Sequence, residues 1–506
     1  MNIRVNWRRS LGLTGTVLKI LAIPLLFPTL VALYYGESPV PFLVAIAITV
    51  LAGYGLEYID SGKKLRSREA FLMVSMSWLF VAMVSAIPFV AAGNGTIAHP
   101  INALFESMSG LTTTGATVLR DFDHPQSILM WRQLVQWLGG LGILVLAVAI
   151  LSKVSVGGAQ LMETESQTRR HTKQLTPHIK DTARLVGSIY AGLTGLAIVV
   201  LYTLYLFDLA PNMTLFNAVA HAFTSVATAG FSPEAGSLRT FEPIVQYAIM
   251  PFMIVGSTSF VLLAFLLRGQ FSRIRQSEEL RFYLTTLVLF SGFVIVTLFA
   301  SGNPTGSGFE ETFRQATFNV VSIITTTGYA NADFAIWTPY ATLFLFLGMF
   351  LGGMAGSTTC SIKSIRWLMV FKSLRRDIFT AIHPDAVRPV RVNKGVVDED
   401  TIRDIYAYVL LVLIGFVLTT ILIIADTSYQ GVDAAFYAGT FTEFDAMGAA
   451  ASTFLNIGPA FGPAGPFGTY DVFPMTTKAA MIFVMWVGRI EIIPVLVLFS
   501  LSYWTS

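Results

Sequence analysis

Long apolar runs separated by short polar connections fill this chain, and most approach the roughly 20 residues needed to cross hydrocarbon. Two runs come first, at about 11–35 and 39–59, followed by a basic link with Lys63, Lys64, Arg66 and Arg68. One unit then recurs four times: an apolar span, a short amphipathic stretch, a glycine-containing polar segment and a second apolar span. The first copy reads 70–92, 101–111, Gly115 and 128–151, and the second reads 185–208, 214–226, Gly230 and 242–267. The third reads 280–300, 312–324, Gly328 and 338–370, and the fourth reads 404–425, 433–454, Gly458 and 474–503. The pattern predicts ten full spans with four half-length segments dipping between them.

Counting back from each glycine tests the repeat. Thirteen and twelve positions before lie Asn102-Ala103, Asn217-Ala218, Gln315-Ala316 and Asp445-Ala446. Six positions before lie Ser109, Thr224, Ser322 and Ser452. Agreement at three offsets in four copies indicates genuine repetition. Segments of about 10–13 residues before each glycine are too short to span and suit re-entrant helices.

Composition supports the membrane reading. Of 506 residues, 54% are hydrophobic and 12% charged, against about 25% charged in a soluble domain; mean hydropathy is +0.66. The net charge of +3 is too small to argue for a nucleic acid partner, and a single cysteine, Cys360, excludes an intrachain disulfide. The first apolar run, interrupted by Pro24 and Pro28, reads as a retained span rather than a cleaved signal. Lys and Arg concentrate in five segments: the N-terminal tail, 60–69, 152–184, 268–281 and 363–403 hold 26 of 33. Ten spans place all five on one side, and the positive-inside tendency makes that side cytoplasmic. Both termini are then cytoplasmic, and the glycine segments open outward. Loops 152–184 and 363–403 are candidate docking sites for a regulatory partner, or simply the charge that sets topology.

The glycine segments carry the chemistry. They are Thr112-Thr113-Thr114-Gly115-Ala116, Ala227-Thr228-Ala229-Gly230-Phe231, Thr325-Thr326-Thr327-Gly328-Tyr329 and Leu455-Asn456-Ile457-Gly458-Pro459. Irregular backbone at membrane depth must line a water-filled path or be buried in protein. Its carbonyls can replace the hydration shell of a cation, and glycine permits the backbone angles that this needs. The fold class predicted is therefore an all-α polytopic membrane protein, with four repeats around a central pore and two additional N-terminal helices. By this reading the units are 1–60, 61–152, 153–270, 271–395 and 396–506. The filter candidates are Thr113, Thr114, Gly115, Thr228, Ala229, Gly230, Thr326, Thr327, Gly328, Asn456, Ile457 and Gly458. A lone Thr-Thr-Gly is an ordinary turn; four at matching places are not.

Together with the run Gly352-Gly353-Met354-Ala355-Gly356-Ser357-Thr358 and with Gly488-Arg489-Ile490-Glu491, these segments resemble the Trk/Ktr/HKT superfamily of potassium transporters. The resemblance covers essentially the whole chain, and the two extra N-terminal spans make it most similar to the TrkH-type subunit. It implies potassium bound at the filter residues and a homodimer with one pore per subunit. It also implies a cytosolic TrkA-like ring that binds nucleotides. Glycine at all four filter positions resembles the potassium-selective members, whereas members with serine at the first tend to pass sodium.

Outside the filter, Arg489 lies within the last span, where a central Arg costs about 2.5–3.5 kcal/mol on insertion scales and should face a cavity or a partner. It reads as a positive barrier below the filter or as a structural pair; residues two apart face differently on a helix, so Glu491 is a poor partner for it. Gly352, Gly353, Ala355 and Gly356 with Ser357 and Thr358 should interrupt the third repeat's second span. That stretch reads as a movable gate or as close small-residue packing. Lys363 should pair with a carboxylate or lie at the inner interface. Gly139-Gly140-Leu141-Gly142 reads as tight packing, since no strand precedes it as a nucleotide loop requires. Glu106 and His221 share one offset and are candidates for holding the short helices. No zinc-protease, nucleophile-elbow or P-loop pattern occurs, so an enzyme is not expected, nor an organic cofactor. The competing function is a proton- or sodium-coupled potassium symporter. It needs inverted repeats and carboxylates in the path, whereas these repeats share one orientation.

Overall fold

A computed structural model describes residues 5–60, 62, 66–151, 179–433 and 439–505. The basic positions Arg4, Lys63 and Lys64, and loop positions 152–178, lie outside the described residues. Two N-terminal spans precede the repeats: α1 (Trp7–Leu21) with α2 (Leu26–Tyr35), then α3 (Val40–Tyr58). Repeat 1 comprises α4 (Ser67–Ser85), α5 (Ile87–Ala92), the half-length α6 (Pro100–Leu111) and α7 (Gln126–Leu151). Repeat 2 comprises α8 (Ile179–Leu206), the half-length α9 (Leu215–Val226), α10 (Pro243–Gly256) and α11 (Phe260–Leu267). After the short α12 (Phe271–Gln276), repeat 3 comprises α13 (Glu278–Ser301), α14 (Gly308–Ile324), α15 (Pro339–Gly348) and α16 (Ser364–Ile382). Repeat 4 comprises α17 (Glu399–Gln430), α18 (Glu443–Leu455) and α19 (Met475–Arg489), followed by the short α20 (Ile493–Leu496) and α21 (Leu501–Thr505). One two-stranded hairpin, β1 (Arg391–Val392) with β2 (Gly395–Val396), lies between α16 and α17.

Among the described residues, seven helices are long and apolar enough to cross a membrane, or eight if the bent pair α10–α11 counts as one span. The chain is thus a multi-pass membrane protein. The remaining second spans differ from the continuous helices that hydropathy suggests. α10 and α11 meet at 102°. α15 stops at Gly348, and α16 resumes only at Ser364. α19 ends at Arg489, where Glu491 and Ile492 take left-handed angles of 61° and 62°.

Burial separates two classes of helix. The spans α3, α8, α13 and α17 each bury 28% of their apolar window within the protein, as expected of helices facing lipid. The half-length helices are buried nearly all round, polar residues included: in α6, every position from Asn102 to Leu111 except Leu104 is buried. They therefore form the centre. The second spans hold them there. α7 packs on α6 and on α9 of the next repeat, α10 packs on α9 and α14, and α19 packs on α18 and α6. Phe346 of α15 meets Phe444 of α18 at 5.5 Å between ring centroids. Each second span thus sits between its own short helix and the next, in the cyclic order 1, 2, 3, 4, 1.

Local chemistry sets the helix starts. Pro100, Pro243 and Pro339 occupy first helical positions, where a missing N–H costs nothing. Thr442 and Asp445 form a reciprocal capping box at α18. The Glu37 carboxylate accepts from Gln126 N at 2.6 Å and Ser127 N at 2.9 Å, fastening the end of α2 to the start of α7.

Candidate functional site

The C-terminal ends of α6, α9, α14 and α18 run into the four glycine segments, which close into a ring. A Cβ placed on Gly115 would lie 2.4 Å from Ala229 O, and one on Gly230 would lie 1.9 Å from Thr327 O. One on Gly328 would lie 2.3 Å from Ile457 O, and one on Gly458 would lie 2.7 Å from Thr114 O. Each glycine therefore abuts the carbonyl just before the glycine of the next repeat. The order is again 1, 2, 3, 4, 1, the same as the helix packing gives. No side chain fits at any of the four.

The backbone repeats as closely as the packing. Gly115, Gly230, Gly328 and Gly458 have φ of 80°, 79°, 85° and 112°. Two residues earlier, Thr113, Thr228, Thr326 and Asn456 have φ of 53°, 49°, 49° and 56°. Left-handed angles are rare for β-branched residues, and such strain persists only where the surroundings enforce it. One set of hydrogen bonds does so in all four copies. The N–H just before each glycine donates to the carbonyl six positions before it: Thr114 to Ser109 at 2.8 Å, Ala229 to Thr224 at 2.9 Å, Thr327 to Ser322 at 2.8 Å and Ile457 to Ser452 at 2.9 Å. The small hydroxyl residues at that offset allow the close return. The fourth copy has Asn in place of the strained Thr, and Asn tolerates the left-handed region best of non-glycine residues.

The polar residues nine before the glycine brace the outgoing limb. Glu106 accepts from Thr117 Oγ1 at 2.9 Å and Val118 N at 2.9 Å, and is ion-paired with the buried Arg132. Arg132 donates to Ser232 O at 2.8 Å, joining repeat 1 to repeat 2. His221 bonds Ser232 Oγ at 3.0 Å, and Asn319 donates to Asn331 Oδ1 at 2.7 Å. The expectation that Glu106 and His221 hold the short helices is met, with Asn319 as a third member. Repeat 4 uses Tyr470 instead, whose hydroxyl donates to Gly458 O at 2.9 Å.

On one side of the ring opens a vestibule lined by all four glycines and by Arg120, Arg132 and Glu234. At its rim Arg120 pairs with Asp433 and Asp471, each at 2.6 Å, and Asp471 also pairs with Lys478 at 2.8 Å.

On the other side the stretch between α15 and α16 packs against the ring. Thr358 Oγ1 lies 2.9 Å from Thr228 Oγ1 and donates to Gly256 O at 2.9 Å. Cys360 N donates to Thr326 Oγ1 at 3.0 Å, and Cys360 Sγ is 3.9 Å from Thr112 O. This one loop touches three of the four glycine segments from below. Its glycines are required by close approach: a Cβ on Gly352 would lie 2.4 Å from Cys360 O, and one on Gly353 would lie 2.5 Å from Ser257 O. The bend in repeat 2 receives the loop, since Met354 N donates to Ser257 O at 2.9 Å and Phe260 N to Gly356 O at 3.0 Å.

Arg489 completes the closure. It is 2% exposed. It donates to Thr358 O at 3.0 Å, Cys360 Sγ at 2.7 Å and Gly139 O at 3.1 Å. Those partners are all neutral. Glu491 pairs with Arg366 at 2.6 Å, not with Arg489. Lys363 makes no ion pair with a carboxylate among the described residues: it is buried and donates to Thr359 O and Oγ1, tying off the loop.

Some contributors carried too weak a sequence signal. Gln136 donates to Ala229 O at 2.6 Å and accepts from Phe231 N at 3.0 Å, clamping the second segment from repeat 1. Tyr329, buried behind the ring, shares a hydrogen bond with Thr224 Oγ1. One signal was available. Gly139, Gly256 and Gly488 each admit the carbonyl four positions before their own repeat's ring glycine, with would-be Cβ distances of 1.9, 2.7 and 2.0 Å. The glycine-rich run at 139–142 is packing, as its context indicates.

Residues 40–504 match the family model for TrkH, described as cation transport protein. The chain belongs to the TrkH family. The Trk system potassium uptake protein TrkH of Halomonas elongata is 34% identical, over 99% of this chain and 100% of its own length. The Trk system potassium uptake protein TrkG of Escherichia coli is 32% identical, over 97% of each. The crystal structure of the potassium transporter TrkH from Vibrio parahaemolyticus superposes with a TM-score of 0.86 at 29% identity, covering 99% of this chain and 100% of that one. TrkH membership and the ring of glycine segments were reached by separate routes, and both indicate cation transport.

Proposed function

We propose that this chain takes up potassium ions through a selective, gated pore formed by its four repeats, and that it is a transport protein rather than an enzyme. The observation that carries the reading is the closed ring of glycine–carbonyl approaches. Four strained backbones held at matching depth supply oxygens to one axis, where they can replace the hydration shell of a cation. Potassium is the cargo; Thr113, Thr114 and Gly115 with their counterparts in the other three repeats form the filter. The names of the relatives support potassium as the ion. The repeat boundaries 61–152, 153–270, 271–395 and 396–506 follow from the same assignment, with 1–60 as an outer pair of spans.

The loop 349–363 and Arg489 form the gate. A guanidinium with neutral partners repels an ion leaving the filter: at ~6 Å and an effective dielectric of ~20 the cost is about 3 kcal/mol. The protein works in the cell membrane with both termini cytoplasmic, as the distribution of basic residues supports. It acts as a homodimer beside a cytosolic TrkA-like nucleotide-binding ring, a reading supported by the Trk system names of its relatives.

The test is cation flux in vesicles holding the purified protein at a clamped potential. Potassium should outpace sodium, without proton or sodium coupling. Gly115→Ser should lose that preference, since a left-handed site costs a side chain ~1–2 kcal/mol even before the clash, a factor of roughly ten. Slow uptake strictly coupled to protons, and indifferent to Gly115, would refute the pore.

A further inference from the structure

At the inner end of the ring, Thr113, Thr228 and Thr326 occupy one equivalent position, two residues before their glycines. All three are fully buried and share the left-handed backbone. Equivalent backbones carry the three hydroxyls, yet their partners differ. Thr228 Oγ1 lies against Thr358 Oγ1 at 2.9 Å, and Thr326 Oγ1 accepts the Cys360 N–H at 3.0 Å. Thr113 Oγ1 is buried with no hydrogen-bond partner among the described residues. The fourth position, Asn456, is turned aside: its amide donates to Thr114 Oγ1 at 2.8 Å and Met485 O at 3.0 Å. The loop therefore engages two hydroxyls of a set of three and leaves the third bare. A buried hydroxyl left unpaired costs about 1–3 kcal/mol, and such a group calls for an explanation by strain, function or an ion.

We propose that the loop closes this pore by taking the innermost cation position. Thr358 and Cys360 occupy the ligand sphere of Thr228 and Thr326. Loop closure and a potassium ion held by the three threonine hydroxyls therefore exclude one another. The inference rests on the potassium-pore reading above and adds to it a coupling between gate and filter. Arg489, bonded to Thr358 O at 3.0 Å, brings a positive charge to the same place when the loop is in and withdraws with it. An ion that binds only the loop-displaced state shifts the population toward that state, by a factor that grows with its concentration over its dissociation constant. Potassium thereby becomes an opener of its own path.

Cys360 is the chain's single cysteine, and it is buried in the loop. Its reaction rate with a small thiol reagent reports the loop's departure in the otherwise unaltered protein. The full chain in vesicles is labelled across a potassium series at constant ionic strength, with N-methylglucamine as the replacement cation. The rate should climb with potassium and saturate. Thr358→Val, which removes the ties to Thr228 and Gly256, should raise the rate without potassium by roughly twenty-five-fold, the worth of two hydrogen bonds. Thr113→Val removes a ligand that makes no tie to the loop, so it should blunt the potassium response, whereas a latch with no cation site predicts a normal one. A wild-type rate that is the same at every potassium concentration, in vesicles that still conduct potassium, overturns the proposal. Vesicles that conduct none would instead overturn the pore reading beneath it.

Discussion

The second spans of repeats 1 and 3 start from one plan and end differently. In repeat 1, α7 is a continuous helix, and Gly139 within it lets the Leu111 carbonyl approach. In repeat 3, the helix stops at Gly348, the chain crosses beneath the ring as a loop, and helix resumes at Ser364. Above both, the glycine segments are nearly superimposable in backbone angle and hydrogen bonding. The difference separates two demands. A filter must surround one ion evenly, so its four parts are held alike. Under the gate assignment proposed above, repeat 3 gives up the longest stretch of helix, and the bend in repeat 2 shapes a seat for it.

The largest effect should come from breaking the ring itself. Alanine at the filter glycines should abolish potassium preference in a graded order set by the closeness of each approach. Gly230 should be worst, at 1.9 Å from Thr327 O, and Gly458 mildest, at 2.7 Å from Thr114 O. Potassium-to-sodium flux ratios in vesicles check the order. Next is the seat of the gate. Arg489→Gln removes a charge with neutral partners, so closed-state leak should rise by roughly tenfold or more, hydrogen bonds to charged groups being worth about 1.5–3 kcal/mol each. Gly353→Ala should also leak, because its Cβ would displace Ser257. The same change in the unbroken span sharpens the contrast. At Gly142 a Cβ meets only Trp78, at 3.7 Å, so Gly142→Ala should leave flux intact and shift stability by no more than ~1 kcal/mol, in the favourable direction.

The smallest effect is electrostatic and lies at the vestibule rim. Burial pushes the Asp471 carboxyl up, but Lys478 and Arg120 outweigh it and hold it below the usual carboxylate range. A depressed carboxylate contributes stability that is present above its unfolded value of about 3.9 and lost as pH falls through its folded value. Thermal unfolding of Asp471→Asn should therefore match wild type more closely at pH 3 than at pH 7.

Much of this was legible in the sequence, for a physical reason. Strained backbone needs particular residues at fixed places, so the glycines, the hydroxyl six positions earlier and the polar pair at thirteen and twelve recur visibly. The interruption at Gly352–Ser361 was legible too, since glycine and small hydroxyls in an apolar run are poor helix formers. The bend at 257–259 was not. Its apolar run reads through, and what bends it is the loop of repeat 3, whose Met354 N and Thr358 N bond Ser257 O and Gly256 O. Glu491 is a parallel case: its side chain could be excluded as Arg489's partner, but its pairing with Arg366 depends on where α16 lies. The partner of Lys363 was not legible either, because Thr359 belongs to the loop that Lys363 terminates.

The central claim is that four sequence-distant segments form one cation site, and bound rubidium tests it most directly. Crystals of the chain grown with rubidium in place of potassium should show anomalous scattering on the axis enclosed by Gly115, Gly230, Gly328 and Gly458. A peak elsewhere in the membrane region, with that axis empty while vesicles still pass rubidium, would contradict the account.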